Sequence, residues 1–275
     1  MSHDSIPRGA GGFATFWRRS GLGYEGSMDP KRVLGRPVKI DDSEVARFFE
    51  ERGEKFDERH PLVSVLYQDS NPELTERRDA HEKQVLAPYL ILEATPRVLD
   101  VGCGIGRWAD AFKGQAARYH GVDLSTKLIE IARNRLQGET NFGFQVLRAQ
   151  DCRPENIPGG GGFDLVIVAG VLIYINDRDL LEVLENVKAC CAPKSRIIFR
   201  EPIGLEGRLT LDSIWSEEMK QNYSAIYRSE TELVEAFEKV FVADGFRWTK
   251  KDRLFPPELA NRKETTQFFF VLERE

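Results

Sequence analysis

The stretch Val98-Leu-Asp-Val-Gly-Cys-Gly-Ile-Gly106 constrains the fold of this 275-residue chain more than any other. A short apolar strand, Arg97 to Val101, runs straight into glycines at 102, 104 and 106. Lacking a Cβ, these residues let the backbone turn sharply and let a ligand come close to it. A helix is predicted over Arg107 to Gln115, and its first amides would face the same space. A dinucleotide-binding turn is spaced G-x-G-x-x-G and receives a pyrophosphate. Here the spacing is G-x-G-x-G, and Asp100 sits on the strand just before it. A fixed carboxylate there would repel a phosphate and suits a cationic group such as an ammonium.

The rest of the chain repeats a strand–helix alternation. Tyr119 to Asp123 reads as the second strand, and Ser125 caps a helix running to Leu136. Phe144 to Arg148, Phe163 to Ala169 and Arg196 to Arg200 read as the third, fourth and fifth strands, with a helix from Asp177 or Asp179 to about Cys190. Leu165-Val-Ile-Val-Ala169 is the continuous apolar run of a strand buried on both faces. Alternation of this kind implies right-handed crossovers and a mainly parallel sheet. After a helix over Glu230 to Phe241, the runs Phe246 to Lys250 and Gln267 to Glu273 have no helix between them and read as an antiparallel hairpin.

Strand ends then carry acids in order. Asp123, 23 residues after Asp100, ends the second strand, where a carboxylate can accept bonds from both hydroxyls of a ribose. Asp151 follows the third strand and could accept from an adenine amino group. Composition narrows the partners. The net charge of −5 and the small size of the basic clusters Arg18-Arg19, Arg77-Arg78 and Lys250-Lys251-Asp252-Arg253 argue against nucleic acid or an anionic membrane. No run approaches the ~18 apolar residues of a membrane helix. Four cysteines without a CxxC, and four dispersed histidines, give no metal-ligand cluster and suit a reducing cytoplasm. Cys103 reads as a small packing residue.

The segments Val98 to Gly106, Gly121-Val-Asp-Leu-Ser125, Ala149-Gln-Asp151 and Phe163-Asp-Leu-Val-Ile167, in this order and spacing, resemble the class I S-adenosylmethionine-dependent methyltransferases of small-molecule type. The resemblance covers roughly residues 85–275. It implies an α/β, Rossmann-like fold: a seven-stranded, mainly parallel sheet with an antiparallel last strand, helices on both faces and an N-terminal helical cap. It implies S-adenosyl-L-methionine as cofactor. Asp100 and Gly102 would lie beside its methionine part, with Gly104 and Gly106 completing the turn. Asp123, followed by Leu124, would hold the ribose, Gln150 and Asp151 would flank adenine, and Ala169 and Gly170 would lie near the sulfonium. Arg107 is a candidate for the methionine carboxylate, Trp108 for covering its chain, and Tyr67 for closing over the cofactor.

Methyl transfer from a sulfonium mainly requires alignment, although a hydroxyl acceptor profits from a base. Candidates are Glu201 at the end of the fifth strand, with His60 and His81 in the segment ahead of the first; His120 reads as a sheet histidine. Tyr174, after the fourth strand, and Tyr227 with Arg228, after an insertion, are candidates for acceptor contacts. The expected organisation is an aromatic-bearing flexible arm at 1–40, a helical cap at 41–92 and a cofactor-binding domain at 93–275 with a lid insertion at 203–229. In the cap, Asp41 or Asp42 starts a helix, Ser70-Asn71-Pro72-Glu73 starts another, and Pro88 breaks or kinks the pattern from Leu74 to Leu92. The reading is a cytoplasmic biosynthetic enzyme that methylates an oxygen or nitrogen of a small polar metabolite, a sugar unit or secondary metabolite, with room for a homodimer. A nicotinamide-dependent oxidoreductase and a non-catalytic binding protein on the same fold stay open.

Overall fold

The computed structural model describes residues 31–92, 94–260 and 262–275. The aromatic part of the arm, with Phe13, Phe16, Trp17 and Tyr24, lies outside the described residues. Ten strands and six α-helices follow. β1 (Arg32–Leu34) leads to the helices α1 (Asp42–Glu54), α2 (Val63–Leu66) and α3 (Pro72–Leu90). Asp41 caps α1 by accepting from the Ser43 amide, and Asn71 caps α3 by accepting from the Leu74 amide. Pro72 occupies the first turn of α3, where its missing N–H has no partner to lose. Pro88 lies in the last turn, so α3 is one helix rather than two.

The alternating region holds β2 (Arg97–Val101), β3 (Arg118–Asp123), α4 (Thr126–Arg135), β4 (Phe142–Val146), β5 (Phe163–Ala169), α5 (Asp177–Ala189) and β6 (Cys191–Gly204). β7 (Leu209–Ser216), β8 (Gln221–Tyr227), α6 (Glu230–Val240), β9 (Arg247–Arg253) and β10 (Thr265–Arg274) complete the chain. The main sheet has seven strands in the order β4-β3-β2-β5-β6-β10-β9. β2 to β6 pair in parallel, while β10 runs antiparallel to both β6 and β9. β1, β7 and β8 form a separate antiparallel sheet. It is built from the segment after β6 and the chain ahead of α1, so Arg32–Leu34 of the expected arm is an ordered strand.

Alternation along each strand divides the core between two faces. Leu99, Val101, Val166, Val168, Ile197 and Phe199 pack with α5 and α6, where Phe199 stacks on Phe237 at 4.2 Å between centroids. Val98, Leu165, Ile167 and Ile198 face the other way, against Leu86, Trp108, Phe112 and Ile129. A third cluster, with Phe48, Tyr174 and Tyr223, joins α1 to the small sheet. α1 meets α4 so closely that a Cβ on Gly53 would stand 2.4 Å from Lys127 Cβ.

Two expectations change. The predicted helix after the glycine turn is only a 3-10 turn, Ala109–Phe112, because Gly114 (φ +68°) bends the chain away. β6 runs to Gly204 rather than stopping at Arg200, because β10 pairs with it from Ser195 to Gly204. Lys250, Lys251 and Arg253 lie exposed on edge strand β9, where charge discourages further strand pairing.

Candidate active site

A cavity of about 740 Å³ opens at the carboxyl ends of β2, β3, β5 and β6 and is roofed by α1, α2 and the small sheet. Its floor is the glycine turn. Gly102 (φ +73°) and Gly104 (φ +53°) adopt left-handed conformations, and the amides of Gly102 and Cys103 both donate to the Val122 carbonyl. A Cβ on Gly102 would stand 2.3 Å from Val171 Cγ2, and one on Gly104 would stand 2.8 Å from Val65 Cγ1. The turn is thus threaded between the loop after β5 and the roof. Gly106 has a different role: it does not line the cavity, and its missing side chain makes room for Leu136 and Phe144.

Asp123 ties the turn to the end of β3. Its Oδ2 accepts from the Gly104 amide at 2.9 Å and its Oδ1 from the Ser125 amide at 2.9 Å. Burial pushes its pKa up to about 6 against these bonds. Asp100 is fully buried beneath the turn. Tyr119 donates to its Oδ2, while its Oδ1 has no partner among the described residues. Burial raises it to about 7. Asp123, Leu124, Ala149, Gln150, Ala169 and Gly170 line the cavity, whereas Asp100 lies just below it. Asp151, at the end of a short 3-10 turn, is exposed, and the lining stops at Gln150.

Arg107 and Trp108 both line the cavity and are buried. Arg107 donates to Asp79 at 2.9 Å and to Glu82 at 2.8 Å, so α3 rather than a ligand takes most of its donors. Arg200, the last residue of β6 to pair with β5, shares Glu82 through a 3.2 Å hydrogen bond. Trp108 Nε1 is buried with no partner among the described residues.

None of the three candidate bases lines the cavity. His60 is exposed on the loop ahead of α2. His81 lies on the side of α3 that packs against the chain between β9 and β10, with Nε2 3.1 Å from the Leu254 carbonyl. Glu201 is fully buried, and its Oε1 accepts from the amides of Val171 (2.9 Å) and Leu172 (3.0 Å). It shapes the loop after β5, and burial pushes it up to about 7. Arg228 is likewise structural: it bonds Asp177 and the carbonyls of Leu172 and Ile175, each at 2.6–2.7 Å. It stands one residue beyond Tyr227, so strand parity sends it to the opposite face.

Tyr67, Tyr174 and Tyr227 do line the cavity, joined by Tyr223. Their hydroxyls form a chain in which Tyr174 lies 3.1 Å from Tyr223 and Tyr227 donates to Tyr223 at 3.2 Å. Tyr67 has φ +56° at the end of α2, and burial lifts its phenol to about 12. Burial also raises Tyr174 and Tyr223. Among the described residues no histidine lines the cavity, and burial raises its thiol, Cys103.

Two parts of this site escaped sequence reasoning. Tyr223 could have been found, since it shares the alternation of β8 with Tyr227. Glu82 belongs to the stripe Thr75, Arg78, Asp79, Glu82 and Leu86, which has helical spacing and forms the buried face of α3.

Residues 99–197 match a family described as a methyltransferase domain. The ubiquinone biosynthesis O-methyltransferase of Thiobacillus denitrificans is 34% identical over 100 residues, 36% of this chain. The chain spans 39% of the length of that relative. Phosphoethanolamine N-methyltransferase 1 of Haemonchus contortus, solved with phosphoethanolamine and S-adenosylhomocysteine, superposes with a TM-score of 0.63 at 17% identity, over 84% of this chain and 48% of that one. The 1,6-didemethyltoxoflavin-N1-methyltransferase of Burkholderia thailandensis, solved with its substrate and S-adenosylhomocysteine, gives 0.58 at 18% identity, over 90% and 97%. Residues 99–197 are thus similar to a methyltransferase domain, and the chain as a whole has the fold of these methyltransferase structures.

Proposed function

We propose that the protein is an S-adenosylmethionine-dependent methyltransferase acting on an oxygen or nitrogen of a small polar metabolite. The observation that carries this reading is the juxtaposition of Asp123, the side-chain-free turn at Gly102 and Gly104, and the cavity above them. When bound, the cofactor would supply an activated methyl group. Asp123 would accept from its ribose hydroxyls, and Gln150 would border its adenine. The partnerless Trp108 Nε1, in the lining, fits a carboxylate on the ligand, and Asp100, just below the lining, would favour a ligand ammonium through its charge. Since Glu201, His60 and His81 all stay outside the lining, an acceptor whose nucleophilic atom arrives unprotonated would suit the site best.

A nicotinamide dinucleotide fits less well, because the turn leads into four residues of 3-10 helix instead of the helix N-terminus that holds a pyrophosphate. No helix among the described residues is long and apolar enough to cross a membrane. The segments 41–92 and 203–229, with Arg32–Leu34, would form the acceptor cap. Purification followed by mass spectrometry of bound small molecules tests the reading. S-adenosylmethionine or S-adenosylhomocysteine at near-stoichiometric amounts supports it. A bound nicotinamide dinucleotide, or failure to bind added S-adenosylhomocysteine, overturns it.

A further inference from the structure

Accepting that reading, one wall of the cavity is more cationic than a neutral acceptor would require. Arg78 on α3, Arg200 where β6 leaves its pairing with β5 and Arg262 just ahead of β10 all line it. Arg78 and Arg200 are more than nine-tenths buried, at 9% and 8% exposure. Arg78 donates to the Leu259 carbonyl, which fixes the position of its guanidinium. Arg200 lies under the transfer point: its Nη1 is 3.5 Å from where a Cβ on Gly170 would stand. Its Nε is 3.1 Å from Glu82 yet outside hydrogen-bonding geometry.

The local acids are already shared out. Arg107, Arg200 and Lys83 rest on only Asp79 and Glu82, three cations on two carboxylates. Glu264 pairs with Arg32, and Glu218, also in the lining, accepts from the Ser70 amide and hydroxyl and is the acid that feels the charge of Arg262. Arg262 and its neighbour Lys263 make no ion pair with any described residue. Burial, followed by the charges of Arg200 and Arg262, lowers Arg78 to about 10.

We propose that Arg78, Arg200 and Arg262 form the binding subsite for an oxyanionic group, carboxylate or phosphoryl, on the methyl acceptor. Planar guanidiniums from three separate elements suit the several oxygens of such a group. An oxyanion would also offset the positive charge gathered beside the sulfonium position.

The test titrates the full chain, free and saturated with S-adenosylhomocysteine, with benzoate, phenylphosphonate and neutral benzamide. The better anion should bind at least roughly tenfold more tightly than benzamide, and which anion wins identifies the group. Arg262 is exposed, so Arg262→Gln should fold normally. It should cut the anion preference to about threefold or less without changing S-adenosylhomocysteine affinity, and Arg262→Lys should restore most of it. Benzamide binding as well as both anions overturns the subsite. So does a preference that survives Arg262→Gln, or a loss confined to S-adenosylhomocysteine affinity, which would assign the cluster to the donor's own carboxylate. Anion preference in a chain that fails to bind S-adenosylhomocysteine would instead sink the donor reading and leave the subsite standing.

Discussion

Replacing Asp123 with Asn separates the charge of this carboxylate from its shape. The native side chain accepts from two amides, Gly104 and Ser125, each at 2.9 Å. Hydrogen bonds to a charged acceptor contribute about 1.5–3 kcal/mol each. Asn keeps one oxygen, so one of the two amides would face an NH2 group and lose its acceptor. An orphaned buried amide costs about 1–3 kcal/mol. The variant also relieves the burial penalty that lifts Asp123 to about 6, so the net loss of stability at neutral pH should be about 1 kcal/mol, or a few degrees in Tm. Binding should suffer more. Losing the carboxylate that accepts from two ribose hydroxyls removes roughly 3 kcal/mol, on the order of a hundredfold in Kd. Calorimetric titration with S-adenosylhomocysteine, beside a thermal melt, measures both. An affinity within about threefold of the wild type, in a folded variant, would refute the assignment of Asp123 to the donor.

Three other perturbations follow from the geometry. Gly102→Ala places a methyl group 2.3 Å from Val171 Cγ2 at φ +73°; it should distort the turn, lower Tm and abolish S-adenosylhomocysteine binding, as calorimetry would show. Glu82→Ala removes the acid shared by Arg107 and Arg200 and should destabilise the fold by about 3–5 kcal/mol in urea unfolding, because it leaves buried cations short of an acid. Burial raises Asp123 and Asp100 to about 6 and about 7, so both are partly protonated in mild acid. A ligand that donates to them or brings an ammonium favours the ionised forms. Its affinity should therefore rise with pH across that interval, by up to about tenfold per unit for each proton released. Calorimetry in buffers of different ionisation enthalpy would detect the released protons.

The parts legible in the sequence are those whose causes are local. β5 announces itself because a strand buried on both faces reads as a continuous apolar run, and β2 because its short, mainly apolar run leads straight into the glycines at 102 and 104. The extent of β6 was not legible, since its last residues are strand only through pairing with β10. Glu201 stands at the end of a parallel strand, as a ligand-facing acid would, yet it is spent on the amides of Val171 and Leu172. His60 and His81 lie outside the cavity lining for a related reason: which side of a cap segment faces the cavity depends on packing against the rest of the fold. The ion network of Glu82, Arg107 and Arg200 joins three distant segments. Its only trace in the sequence is a polar stripe on α3.

The most direct test of the central claim is a crystal structure of the protein grown with S-adenosylhomocysteine. The account predicts the ribose hydroxyls on Asp123, adenine beside Gln150, and the sulfur above the Gly102 turn facing Gly170 and Tyr67. A ligand bound elsewhere, or one whose ribose does not touch Asp123, would contradict it.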